Sequence, residues 1–86
     1  MNTADLPFVV VPTAGHPAQL WVTQPVADWA TNCTTGRLYG HLLCRYMEAT
    51  SDTSMLGKVS EAIVAAGQWT GIEVGFFQAI ADEAVG

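Results

Sequence analysis

The chain has 86 residues, of which 50% are hydrophobic and only 13% are charged, and its formal net charge is -5. About 25% of the residues in a typical soluble domain are charged. The acidic balance argues against binding nucleic acid through its phosphates, which requires clustered cations. A domain of this length buries only about 60% of the surface of its unfolded chain. The composition therefore predicts one domain, residues 1–86, with an apolar surface that a partner covers.

The sequence also indicates where the chain resides. The first five residues contain no basic residue and no long apolar run, so we predict no secretory signal. Cys33 and Cys44 are then expected to be reduced thiols, although their spacing alone leaves a disulfide open. The longest apolar stretch, 62–81, contains Glu73, and a carboxylate inside a membrane helix is costly. These features predict a soluble, cytoplasmic protein without a membrane segment.

Two runs near the N-terminus have the composition of β-strands. Residues 8–11 and 19–23 are rich in β-branched and aromatic side chains, and turn formers including Pro12, Gly15 and Pro17 separate them. This pattern predicts an N-terminal β-hairpin. Because an isolated hairpin is only marginally stable in water, we expect it to pack on helices.

The remainder of the chain predicts helices. A short helix over 25–30 begins at Pro25, and a second runs from Thr34 or Thr35 to about residue 49. A third spans 55–66 and ends at Gly67. The fourth spans 71–84, because Thr70 and Glu73 have the spacing of a capping box. The expected fold is α+β, with the β-hairpin packed on three to four α-helices and the last two forming a helical hairpin.

Charged residues supply one set of candidate contacts. Arg37, His41 and Arg45 recur every four residues and lie on one side of the second predicted helix. They are expected to bind acidic groups of a partner or to pair with acidic residues of this chain. The candidate acidic residues are Glu61, Asp82 and Glu83. Since the last two lie near a helix C-terminus, where negative charge is disfavoured, they indicate either an acidic partner-binding surface or a solvated, fraying end.

Apolar and small residues supply a second set. Trp21 lies in a predicted strand, one face of which must either be exposed to solvent or be covered. Trp21 is therefore the best candidate for an anchor that contacts a partner. Gly71 and Gly75 lie one turn apart on the last helix and allow another backbone to approach closely. The approaching backbone is expected to be a neighbouring element of the same fold or, alternatively, a second copy of the chain.

A reactive site is less well supported. Cys33, His41 and Cys44 are potential zinc ligands, and His16 is the candidate for a fourth. A cysteine with a nearby histidine can also act as a nucleophile and its base. However, their spacing matches no standard zinc finger, and no glycine-rich turn follows either cysteine to form an oxyanion hole. We therefore predict no catalytic residue, no metal site and no cofactor.

The predicted function is a non-catalytic protein-binding module. A small acidic inhibitor that blocks a larger protein or nucleoprotein machine, as phage anti-defence proteins and antitoxins do, is the leading hypothesis. A homo-oligomeric assembly protein, for example a homodimer, is the alternative, and a small Cys/His enzyme or metal site is a third. The expected partner is a protein of unknown identity, with no direct contact to nucleic acid or membrane.

Overall fold

The computed structural model describes residues 2–11, 15 and 17–86, and the regular elements in these ranges are all helical. A 3₁₀ helix at Thr3–Asp5 is followed by α1 (Trp29–Thr50), α2 (Ser54–Ala66) and α3 (Gly71–Val85). The described residues form no β-strand, so the α+β prediction is wrong and the fold is all-helical.

The predicted β-hairpin is reduced to a single antiparallel bridge. Val10 and Gln19 exchange both backbone hydrogen bonds, each 2.9 Å long. Continued pairing would place Phe8 opposite Trp21, but the Phe8 carbonyl oxygen instead accepts the N–H of Val22 at 2.8 Å. This one-residue shift ends the ladder after one bridge. The predicted loop residues 12–14 and 16 lie outside the described part of the chain.

One long helix, α1, replaces the two that the sequence predicted. Its N-cap is Asp28, whose carboxylate accepts hydrogen bonds from the Ala30 N–H at 3.3 Å and the Thr31 hydroxyl at 2.6 Å. The Thr34 hydroxyl donates to the Ala30 carbonyl oxygen at 3.1 Å, four residues back, as a threonine does inside a helix. The predicted interruption between residue 30 and Thr34 is therefore wrong.

The bounds of α2 and α3 confirm the local signals. Gly67 ends α2 with a φ of 68°, the left-handed conformation that glycine adopts easily. The Thr70 hydroxyl accepts the Ile72 N–H at 3.2 Å, and the Glu73 side chain accepts the Thr70 N–H, so the predicted capping box is present.

The closest helix pair is α1 and α3, whereas the sequence predicted a hairpin of α2 and α3. The contacts advance in the same direction along both helices, from Gly71 against Trp29, through Gly75 against Cys33, to the pairing of Arg45 with Glu83. The two helices are therefore parallel. Four glycines allow this approach, namely Gly36 and Gly40 on α1 and Gly71 and Gly75 on α3.

These glycines leave no space for a side chain. A Cβ atom at Gly36 would lie 1.9 Å from the Ile72 carbonyl oxygen, and one at Gly75 would lie 2.1 Å from the Cys33 carbonyl oxygen. The backbone of a packed helix cannot move aside as a flexible side chain can. Of the two expected roles of Gly71 and Gly75, the structure therefore shows close packing within the fold, and α1 covers the face proposed for self-association.

The N-terminal segment completes the core by packing aromatic side chains against α1 and α3. Phe8 is fully buried, with its ring 6.0 Å from that of Phe76. Asn32 holds the chain ahead of α1 through both backbone groups of Val26, at 2.9 and 2.8 Å. The buried cluster contains Leu6, Phe8, Val9, Trp21, Leu43, Tyr46, Met55, Val59, Ile63, Ile72 and Phe76.

We expect Gly75→Ala to destabilise the fold by about 3 kcal/mol, because the new methyl group overlaps the α1 backbone. The free energy of unfolding, measured by urea denaturation followed by circular dichroism, tests this expectation. Gly57→Ala is the matched control, since a Cβ there meets no atom within 4 Å, and alanine favours an exposed helix by about 0.5 to 1 kcal/mol. Equal effects of the two substitutions would refute close glycine packing.

Candidate functional site

The predicted basic strip pairs with α3. Arg37 Nη2 lies 2.8 Å from Asp82 Oδ2, and His41 Nδ1 lies 2.8 Å from Glu83 Oε2. Arg45 contacts Glu83 as well and also pairs with Glu48 on its own helix at 2.9 Å. Of the two roles expected for this strip, the structure thus shows pairing within the chain.

These ion pairs between α1 and α3, which we call the polar seam, also account for the acidic residues at the end of α3. The side chain of Glu83 is only 22% exposed, so it does not belong to a solvated, fraying end. The hydrogen bond from His41, followed by those from Arg45 and Cys44, lowers the pKa of Glu83 below its ordinary value of 4.5. Glu61, the third predicted acidic partner, lies on α2 and forms no ion pair with the residues that the structure describes.

The structure does not favour the Cys/His site. Burial, reinforced by a hydrogen bond to Glu83, raises the pKa of the Cys44 thiol to about 11, which keeps it in the unreactive protonated form. Cys33 lies about three turns away on the same helix, roughly 16 Å, whereas a disulfide requires Cα atoms within about 7 Å. Among the described residues, no three His, Cys, Asp or Glu side chains form a group that could hold a metal ion. The position of His16 lies outside those residues.

Trp21 lies in the core and not on the surface where we expected it to anchor a partner. Its side chain is 7% exposed, and its ring packs 4.8 Å from that of Phe76 and 5.2 Å from that of Phe8. The indole Nε1 donates a hydrogen bond to Glu73 Oε2 at 2.9 Å. This bond joins the N-terminal segment to the first turn of α3.

Glu73 is a fully buried carboxylate whose charge is satisfied by hydrogen bonds. Burial by itself raises the pKa of a carboxyl group, but the bonds from Thr70 and then Trp21 outweigh it, so the pKa of Glu73 lies below 4.5. The sequence identified this residue as part of a cap. Its second partner, 52 positions away along the chain, was not predictable from local spacing.

Most of the acidic side chains form hydrogen bonds or ion pairs within the fold, and this explains much of the negative net charge. Asp28 caps α1, Asp52 accepts the Ser54 N–H at the start of α2, and Glu73 caps α3. Asp5 accepts the Asn2 N–H at 2.8 Å. The acidic composition therefore reflects helix termini and the α1–α3 seam more than a surface patterned for a basic partner.

Two exposed tryptophans lie at one end of the α1–α3 pair, and the other large apolar side chains that are exposed are Val10, Val11, Val26, Leu38, Val64 and Val85. Trp29 is 56% exposed and Trp69 is 63% exposed. The Trp69 ring stacks on that of Phe77, with 6.0 Å between the centroids and 20° between the planes. Trp69 precedes Gly71 by two residues, and Gly71 packs on the Trp29 backbone, so both tryptophans lie where α1 and α3 begin.

Val26 extends this apolar surface. It is 53% exposed and is held by Asn32, whose Cβ atom also packs against Gly71. We call the surface formed by Val26, Trp29, Trp69 and Phe77 the tryptophan end. A large aromatic side chain that stays more than half exposed loses the favourable free energy of burying its apolar surface. Exposed patches of apolar side chains are typical of interaction sites.

The sequence analysis missed the tryptophan end, although two local signals pointed to it. Trp69 precedes the capping box, which places it outside α3, and Trp29 follows the Asp28 cap at the first position of α1. A side chain at the first turn of a helix has fewer helical neighbours to cover it. The Trp69 ring instead finds its neighbour on α3, where it stacks on Phe77.

Comparison of the chain with protein-family models, with curated proteins and with solved structures gave no match. In the part of the chain that the structure describes, no helix combines the length and the hydropathy needed to cross a membrane.

Replacing Trp21 by phenylalanine removes a hydrogen bond to a buried carboxylate. We expect Trp21→Phe to lower the free energy of unfolding by about 3 kcal/mol, because Glu73 loses a donor and the smaller ring leaves space. Trp69→Phe is the control, with an expected change below about 1 kcal/mol, since that side chain is mostly exposed. Similar losses in both variants, measured by urea denaturation, would contradict the buried bond.

The lowered pKa values of Glu73 and Glu83 predict loss of stability in acid. Each carboxylate stabilises the fold above the ordinary pKa of 4.5, and this stabilisation disappears as the pH falls through the lower pKa of the folded state. The free energy of unfolding should therefore decrease as the pH is lowered below about 5. Glu83→Gln should reduce this decrease and Glu61→Gln should leave it unchanged; identical profiles for both variants would exclude a contribution from the seam.

Proposed function

We propose that the chain is a non-catalytic protein-binding module that contacts its partner through the tryptophan end. The observation that carries this proposal is the placement of two tryptophans, each more than half exposed, at the same end of the fold. Tryptophan is enriched among the interface residues that contribute most to affinity. Val26 and the stacked ring of Phe77 add apolar area beside them.

The arrangement of charges supports an apolar contact. Arg37 and Arg45 are paired with α3, and the acidic residues of the helix caps are engaged with backbone groups. Charged residues are depleted at the centre of protein interfaces, where aromatic residues are enriched. The proposed interface therefore differs from the electrostatic one expected from the sequence, since hydrophobic burial supplies its affinity.

Inhibition by occlusion is the activity that this surface would support. Its four residues bear no nucleophile and no group that titrates near neutral pH. Any effect on a partner would then come from covering part of its surface. We place this action in the cytoplasm, in keeping with the free cysteines.

A comparison of three tagged proteins tests the proposal in lysate of the source cell. The wild type and Val85→Ala should recover the same stoichiometric partner, because Val85 is 90% exposed and is the last residue of α3, at the opposite end of that helix from Trp69. The double variant Trp29→Ala/Trp69→Ala should lose that partner while retaining its helical circular dichroism spectrum. Since both side chains are exposed, the double variant is expected to fold.

Two results would contradict the proposal. Recovery of the partner by the double variant at wild-type level would place the interface elsewhere. Recovery of the bait alone, combined with a wild-type dimer in sedimentation velocity that the double variant lacks, would assign the tryptophan end to self-association and favour the assembly role.

A further inference from the structure

A second site lies at the opposite end of the α1–α3 pair, where the three helices leave an open groove of about 360 Å³. Its floor is apolar and comes from Met47 of α1, Leu56 of α2, and Ile80 and Ala84 of α3. A volume of this size is within the range of small-molecule sites. The groove is remote from the tryptophan end and does not depend on the function proposed for it.

Acidic groups outnumber basic groups around this floor. Glu48 and Glu83 both line the groove, and one guanidinium, that of Arg45, bridges the two carboxylates. The two carboxylates that line the groove thus outnumber the one guanidinium that pairs with them. Asp52 precedes Thr53 of the groove lining and adds a nearby carboxylate, which Lys58 of α2 partly compensates.

The helix ends reinforce this negative potential. Because α1 and α3 are parallel, their C-terminal turns lie side by side at the groove, and a helix C-terminus carries about half a negative charge. Neither helix has a basic residue in its last turn to neutralise it. The N-terminus of α2 has the opposite polarity, but the Asp52 carboxylate accepts its Ser54 N–H and offsets that charge.

We propose that this groove binds a small organic amine, with its apolar body on the Met47, Leu56 and Ile80 floor and its ammonium group beside Glu48. The apolar floor selects a hydrocarbon portion, and the excess of carboxylates selects a positive charge. An anion of the same shape meets Glu48, Glu83 and two helix C-termini, so it is rejected.

Three probes of similar shape and different charge test this assignment at pH 8: hexylammonium, hexanol and hexanoate. Methyl and amide NMR signals of the full chain report binding at Met47, Leu56, Ile80 and Ala84. We expect saturable shifts of these signals with hexylammonium, a Kd about fivefold higher for hexanol, and no saturation with hexanoate over the same concentrations.

Matched substitutions show whether the carboxylate is responsible. Glu48→Gln should raise the Kd of hexylammonium about fivefold and leave that of hexanol unchanged, whereas Glu61→Gln on α2 should change neither. Both residues are exposed, so the variants are expected to fold. Equal binding of the three probes, shifts that map outside the groove, or no saturable binding would each overturn the assignment. None of these outcomes bears on partner capture at the tryptophan end.

Discussion

The direct backbone contact between α1 and α3 is the constraint on which the rest of the fold depends. Four glycines, at 36, 40, 71 and 75, bring the two helices so close that a Cβ at Gly36 or Gly75 would overlap a carbonyl group. The contact fixes both the register and the direction of the pair. Because the helices are parallel, α2 has to return the chain from the end of α1 to the start of α3.

The parallel arrangement places different chemistry at the two ends of the molecule. At the end where α1 and α3 begin, caps satisfy the backbone N–H groups, and Trp29 and Trp69 remain on the surface. At the other end, Asp82 and Glu83 lie where a helix disfavours negative charge, and Arg37, His41 and Arg45 of α1 compensate for it. The seam thus replaces basic residues that the last turn of α3 lacks.

The N-terminal segment depends on the same pair for its position. It has little secondary structure of its own, and it is held by Phe8 and Trp21 against Phe76 and by the bond from Trp21 to Glu73. Glu73 therefore joins a local contact of α3 to a long-range contact with the N-terminal segment. It caps α3, it anchors the segment that covers the core, and its burial is tolerated because hydrogen bonds satisfy its charge.

The sequence by itself determined the features whose causes lie within a few residues. The capping box at Thr70 and Glu73, the end of α2 at Gly67, and the bounds of α2 and α3 follow from local hydrogen bonding and backbone freedom. The tertiary structure decided what depends on distant neighbours. The interval between residue 30 and Thr34 looks like a gap between two helices, but α1 runs through it. Trp21 looks like a surface anchor until Glu73 provides its partner 52 residues away. Likewise, runs of β-branched and aromatic residues become strands only if a ladder forms, and here a one-residue shift after the Val10–Gln19 bridge prevents it.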